Sequence, residues 1–299
     1  MPYPVELIKE LAARHGVVGE PVLMPDGGMV NEAWRIGDAV LRIVREGAHE
    51  ECDTEAPREA AVVPLARSAG VRTPALIGWG LADDLAPRNY TVYEYVDGVL
   101  LGHSGRSPLS FGSLYHELGR EMALLHTIEV PEDVARHCTI EVRYELARDT
   151  QACVDAGKLT ASDGAEIVQW IEFLESRFGE DRRCFIHYDV HSWNLMAGHD
   201  DSLAAVLDWG DASFGHPAAD LAMMPLECMP LMIEGYRDGG GVVDDGFVAR
   251  ALYIAMDVML WELRNITPEQ FAREWWTFPP GGWAELKGLV EKLFPELAV

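Results

Sequence analysis

Phe185-Ile186-His187-Tyr188-Asp189-Val190-His191-Ser192-Trp193-Asn194-Leu195, with Ala205-Val206-Leu207-Asp208-Trp209 behind it, is the stretch that decides how this chain is read. Two short apolar pieces, 184–186 and 203–207, frame polar loops that carry Asp189, His191, Asn194 and Asp208. Loops held on a rigid scaffold are where catalytic groups concentrate. An acidic residue, an amide five positions on and a second acidic residue at the end of the next strand are what phosphoryl transfer requires. One carboxylate orients or accepts the proton of an acceptor hydroxyl, while the amide and the second carboxylate hold a metal on the phosphates. The joint pattern is much more specific than either half.

Upstream, residues 5–14 carry apolar side chains near helical spacing and stop at Gly16. Two extended candidates, 29–36 and 39–44, flank Gly37-Asp38, a hairpin turn signal. Residues 55–69 return to helical character, and 75–80 and 90–96 are further strand candidates. The first part of the chain therefore reads as a small sheet with one prominent internal helix. Asp97-Gly98 marks a boundary, so the domains are expected at 1–96 and 97–299. Beyond it the pattern is mainly helical, at 109–127, 164–178 and from 221 onward, where Tyr253, Met256, Met259 and Leu260 form an expected core stripe.

With 299 residues, 48% of them apolar, the chain can bury a substantial core. No apolar run approaches the roughly 20 residues of a membrane helix, and nothing at Met1-Pro2-Tyr3-Pro4 resembles a signal segment, so a cytoplasmic location is expected. The five cysteines are scattered and never in a CxxC pair, which argues against a disulfide framework or a thiolate zinc site. Forty-nine acidic residues against 24 basic ones leave a net charge of −25. Such a field repels nucleic acid and anionic membrane, so neither is an expected partner. Whether it also guides a cationic substrate or reflects an acidic proteome stays open. No GxSxG elbow, HExxH pair or GxGxxG turn between strand and helix is present, which leaves serine hydrolases, zinc hydrolases and dinucleotide enzymes without their signatures.

The sequence resembles the aminoglycoside phosphotransferase family, whose members have a protein-kinase-like fold, over nearly its whole length from about residue 22. The resemblance implies an α+β, bilobal architecture: an N-terminal antiparallel sheet plus helix, and a mainly helical C-terminal lobe. It implies Asp189 as catalytic base, Asn194 and Asp208 as ligands of Mg²⁺, and His187 and Asp220 as structural braces. The run Asp208-Trp209-Gly210-Asp211-Ala212-Ser213-Phe214-Gly215-His216-Pro217-Ala218-Ala219-Asp220 matches the family's second signature.

In the N-terminal half, Gly27, Gly28 and Asn31 resemble the loop that covers the phosphates of ATP or GTP with backbone N–H groups. Arg42 takes the place of the phosphate-contacting lysine, with Glu59 as its partner on the following helix. Backbone groups of Tyr95 and Val96 are implied to read the nucleotide base, while the Tyr93 and Tyr95 side chains are read as sheet core. Two departures stand out: Arg42 where protein kinases have lysine, and Tyr188 where the family usually has glycine. The second points to altered packing or substrate access beside Asp189.

Relatives of this kind phosphorylate aminoglycosides, macrolides, tuberactinomycin peptides such as capreomycin and viomycin, choline, homoserine and fructosamine. The acidic balance favours a cationic, hydroxyl-bearing antibiotic, met by Asp189 together with Glu227, Glu234, Asp238, Asp257 and Glu262. A macrolide or small-metabolite kinase remains the alternative, and a nonenzymatic kinase-like binding module the alternative of a different class. The donor's base and the oligomeric state stay open.

Overall fold

The computed structural model describes residues 1–25, 28, 30–139, 143–267 and 282–297. Helix α1 (Val5–Ala13) turns Ile8, Leu11 and Ala12 inward. They pack on a five-stranded antiparallel sheet of β1 (Val22–Leu23), β2 (Asn31–Ile36), β3 (Ala39–Val44), β4 (Leu76–Gly80) and β5 (Tyr90–Glu94), in the order β1-β2-β3-β5-β4. Between β2 and β3, Ile36 pairs with Ala39, so Gly37 and Asp38 alone make the turn. Gly37 has φ 59°, the left-handed conformation that a two-residue hairpin loop favours.

Side chains alternate across a strand, and here the two faces serve different cores. Trp34, Ile36, Leu41, Ile43 and Val92 pack with α1. On the other face, Tyr93 joins Val62, Val63 and Ala66 of helix α2 (Glu55–Ser68) in a cluster continuous with the helical part of the chain. The sheet and the helices are therefore cemented through α2, with Trp209 reaching across to donate its indole N–H to Thr73 Oγ1 at 2.9 Å.

The chain beyond residue 96 was expected to be mainly helical; among its described residues five short strands accompany the helices. β6 (Val99–Leu100) pairs with β8 (Leu195–Ala197), and β8 with β9 (Leu203–Val206). β7 (Cys184–Ile186) pairs with β10 (Ser213–Gly215). Strands this short carry too few residues for an alternation to be read, and only tertiary pairing defines them. Around them stand α3 (Gly112–Leu125), α4 (Glu132–Ala135), α5 (Leu146–Asp155), α6 (Ala161–Glu175), α7 (Met229–Asp238), α8 (Asp245–Asn265) and α9 (Gly282–Leu293). Helix α6 starts earlier than its apolar periodicity suggests because Thr160 and Asp163 close a capping box. Met256, Met259 and Leu260 are buried as expected. Among the described residues no helix is long and apolar enough to cross a membrane.

Candidate active site

β7 and β9 deliver two loops to the same point. After β7 the backbone N–H groups of His187 and Tyr188 both donate to the buried Asp220 carboxylate, at 2.8 and 2.7 Å. His126 Nε2 donates to the same carboxylate at 3.0 Å, and the Tyr236 hydroxyl meets His126 Nδ1 at 3.0 Å. His187 Nε2 donates to the Leu207 carbonyl at 2.9 Å, which leaves Nδ1 to accept the Asp189 N–H at 3.3 Å. One fully buried imidazole thus ties the two loops together.

Held in this way, Asp189 points its carboxylate at Asn194 and His191. Asn194 Nδ2 donates to Asp189 Oδ2 at 2.7 Å and to the Asp189 carbonyl at 2.9 Å. His191 Nδ1 accepts the Trp193 N–H at 3.2 Å, so Nε2 carries a proton toward Asp189 Oδ1, 3.3 Å away. Burial alone would raise the Asp189 carboxyl, but the His191 ring beside it, aided by Asn194, outweighs this and holds it at about 2. The group is ionised throughout the neutral range.

Asp208 lies two residues past the end of β9, in left-handed backbone with φ 60°. The Leu207 N–H donates to the Asn194 carbonyl at 2.8 Å, which sets Asp208 beside the first loop. Its Oδ2 accepts from Arg42 Nη2 at 2.7 Å, and Arg42 Nη1 donates to Glu59 Oε1 at 2.8 Å. The arginine fork on β3 therefore bridges α2 and the second loop. Glu59 is buried, and its carboxyl is raised by burial against the opposing charge of Arg42.

Two oxygen donors suit Mg²⁺ at this point. The Asn194 amide nitrogen donates to Asp189, which leaves its oxygen as the atom a metal would take, and Asp208 has a second carboxylate oxygen beside the Oδ2 that Arg42 occupies. An amide oxygen and a partly exposed carboxylate fit a hard cation that takes few protein ligands and completes its shell with water and phosphate.

Of the cradle residues, Gly27 lies outside the described residues. Gly28 is exposed, with φ 86°, and its carbonyl accepts from Arg45 Nη2 at 3.2 Å. Asn31 is buried at the start of β2 and its amide reaches Glu55 Oε2 at 3.4 Å. The Tyr95 N–H donates to the Asp38 carbonyl at 2.8 Å, so Tyr95 can offer a base only its carbonyl. Its ring lies under the Arg35 guanidinium, 3.7 Å from the centroid, rather than in the sheet core.

The carboxylates expected to meet substrate divide into two groups. Asp257 and Glu262 are on α8: the Asp257 charge acts on Tyr188 and the Glu262 charge on His191, but Glu262 is only 3% exposed and so does not open to a substrate as expected. Glu227 lies beside Tyr115 and Cys228, Glu234 is exposed on α7, and Asp238 pairs with His116 Nε2 at 3.0 Å.

Residues not singled out from sequence also belong here. Glu55 precedes Glu59 by one helical turn and faces Arg42, Asp208 and Gly210; a Cβ on Gly210 would come within 2.9 Å of Glu55 Cγ. Burial, and then the Asp208 charge, push its carboxyl up to about 7. Arg58 on the same helix donates to the Gly210 and His137 carbonyls. The spacing of Glu55 and Glu59 was visible as an i, i+4 pair on one helix face; the Arg58 contacts follow from tertiary packing alone.

The Asp257 carboxyl is pushed up to about 6, by burial first and then by Asp149. A carboxylate whose folded value is raised weakens the fold as pH climbs from its unfolded value of 3.8 through about 6. Asp257→Asn is therefore expected to match the parent in melting temperature below about pH 4 and to exceed it above about pH 6. The gain there is about 1–2 kcal/mol, after allowing for the solvent the group still touches. A thermal melt series from pH 4 to 8 reads this directly, and a constant difference across the series would show that the charge is not the cause.

The model of the phosphotransferase enzyme family, APH, matches residues 25–261. The chain belongs to that family. A structure of the GDP complex of aminoglycoside 2'-phosphotransferase-IIIa shares 18% identity with it at a TM-score of 0.66, covering 97% of this chain and 98% of the other. A choline/ethanolamine kinase family protein from Mesorhizobium loti is 20% identical, TM-score 0.62, over 97% and 96%. Macrolide 2'-phosphotransferase MphH from Brachybacterium faecium is 21% identical, TM-score 0.59, over 97% and 98%. No curated protein matches the sequence. Identities at this level carry the fold, which is the protein-kinase-like fold of this phosphotransferase family, and the enzyme is a small-molecule kinase.

Proposed function

We propose that this phosphotransferase moves the γ-phosphate of ATP or GTP to a hydroxyl of a cationic antibiotic, of the aminoglycoside or tuberactinomycin type, and so inactivates it. The observation that carries the reading is the ionised Asp189 carboxylate, oriented by Asn194 and His191 next to an Asp208 held by Arg42, which Glu59 anchors from its other side. Residues 1–96 serve as the nucleotide lobe and 97–299 as the catalytic and substrate lobe. The phosphates lie under the loop of Gly27, Gly28 and Asn31, and the base meets Tyr95 and Val96.

The acceptor oxygen forms a bond to the γ-phosphorus as the bond to the β-phosphate oxygen breaks, and the nucleoside diphosphate leaves. The hydroxyl proton goes to Asp189. A carboxyl held at about 2 is a poor base toward an alcohol, so its main contribution is to orient the hydroxyl, with the proton moving late. Arg42 offsets phosphate charge at a fixed distance from Glu59. Asn194 Oδ1 and Asp208 would hold Mg²⁺, which neutralises charge on the phosphates when bound. Asp257 and Asp211, whose charges both act on Tyr188 beside Asp189, make the acceptor side negative. That favours ammonium or guanidinium groups over a neutral acceptor. The structural relatives are consistent with this class: one was captured with streptomycin and ATP, another with spectinomycin and ADP.

The test is nucleoside-diphosphate release with Mg²⁺ and either ATP or GTP, across aminoglycosides, tuberactinomycins, macrolides and choline. Turnover on a cationic antibiotic is the expected result. Turnover confined to a macrolide or to choline would retain the chemistry and reject the antibiotic class, and tight nucleotide binding without any acceptor turnover would reject the enzymatic reading.

A further inference from the structure

Tyr188 is the residue that the rest of the site does not explain. It stands next to Asp189 where the family usually has glycine, and it adopts φ 68°. Left-handed backbone strains a residue with a Cβ, and glycine would avoid that strain. The strain is locked in by the Tyr188 N–H bond to Asp220 Oδ1 at 2.7 Å. The ring is only partly buried, and Tyr144 is its neighbour in the same cluster. Tyr144 is itself fixed edge-on against Tyr253, with centroids 6.1 Å apart and planes at 87°. Tyr144 is the polar neighbour of the Tyr188 phenol, and the charges of Asp257 on α8, Asp211 on the loop after β9 and Asp189 on its own loop all act on it.

We propose that Tyr188 is a specificity-determining residue: its partly exposed ring, next to Asp189 and in the field of Asp257, receives a cationic group of the acceptor while the neighbouring hydroxyl is presented to Asp189. The inference rests on the phosphotransfer reading above and narrows it to the residue that selects charge. An aromatic face attracts a cation through its quadrupole, and a flanking carboxylate reinforces this without supplying shape. A glycine at 188 would leave Asp189 equally accessible and offer no such face.

Binding, not turnover, is the measurement, so that the two readings can fail separately. Streptomycin, a polyol bearing guanidinium groups, is titrated calorimetrically into the full chain saturated with Mg²⁺ and a non-hydrolysable nucleotide analogue; sucrose serves as the uncharged polyol. The parent is expected to bind streptomycin and not sucrose. Tyr188→Phe keeps the ring and is expected to bind within about two-fold of the parent, whereas Tyr188→Gly weakens binding by about 3- to 30-fold. A purely structural role predicts the reverse for glycine, which relieves the backbone and is expected to melt no lower than the parent. The proposal is overturned if the parent does not bind streptomycin, if Tyr188→Gly binds as tightly as the parent, or if Tyr188→Phe is as weak as the glycine variant. Streptomycin binding that responds to Tyr188 without phosphoryl transfer to any acceptor keeps this inference and removes the catalytic one; turnover of a neutral acceptor alone does the opposite.

Discussion

Asp189→Asn is expected to lower the rate of nucleoside-diphosphate release in the presence of acceptor by about 10²–10⁴-fold, the range of a positioned acid–base group. The carboxylate is the single group on this loop that faces both a hydrogen-bond donor amide and an imidazole N–H, at 2.7 and 3.3 Å, and is ionised at neutral pH. Asparagine keeps one oxygen for Asn194 but loses the charge that orients an acceptor hydroxyl. Because the parent carboxyl is depressed to about 2, its charge stabilises the fold above its unfolded value of 3.8, so the variant also loses some stability at pH 7. That loss stays within roughly 5 °C in melting temperature for a chain of this size. Steady-state kinetics beside a thermal melt separate the two effects. Near-parental turnover in a cooperatively folded variant would move the base to another residue.

Arg42→Met is expected to injure both stability and activity. Glu59 is 2% exposed, and Arg42 is the cation held 2.8 Å from it. Removing one partner of a buried pair leaves an uncompensated charge and costs about 3–5 kcal/mol, which corresponds to a melting temperature lower by roughly 5–8 °C. The same guanidinium binds Asp208 at 2.7 Å, so catalytic efficiency is expected to fall by about 10²–10³-fold. Adding Glu59→Gln to Arg42→Met should restore most of the melting temperature, since the buried charge is gone, and should leave turnover low, since the phosphate cation is still missing. A double variant no more stable than Arg42→Met alone would show that Glu59 is not the source of the loss.

These expectations trace back to different amounts of sequence. Asp189 and Asn194 share one loop, so their spacing already placed an amide within reach of a carboxylate, and Gly37-Asp38 placed the β2–β3 turn with no outside information. Helix α1 and the methionine stripe of α8 were legible because apolar periodicity reports a buried face directly. The division of acidic residues between surface and site was not legible. The Asp257 and Glu262 charges act on the catalytic loop while Glu234 faces solvent, and nothing local in a run of helix distinguishes them.

By itself, then, the sequence determined the sheet-and-helix order of the first part of the chain, the catalytic loop spacing and the family, because each depends on neighbours a few positions apart. Tertiary structure alone decided the rest. It brought Arg42 to Asp208 across 166 positions, joined β6 to β8 and β7 to β10, and set Asp220 under the His187 and Tyr188 amides. It also showed that Tyr188 occupies a left-handed backbone position that glycine would occupy freely. The physical reason is common to all of these: a hydrogen bond or ion pair between distant residues forms only where the packed core fixes both partners, and periodicity along the chain carries no record of that fixing.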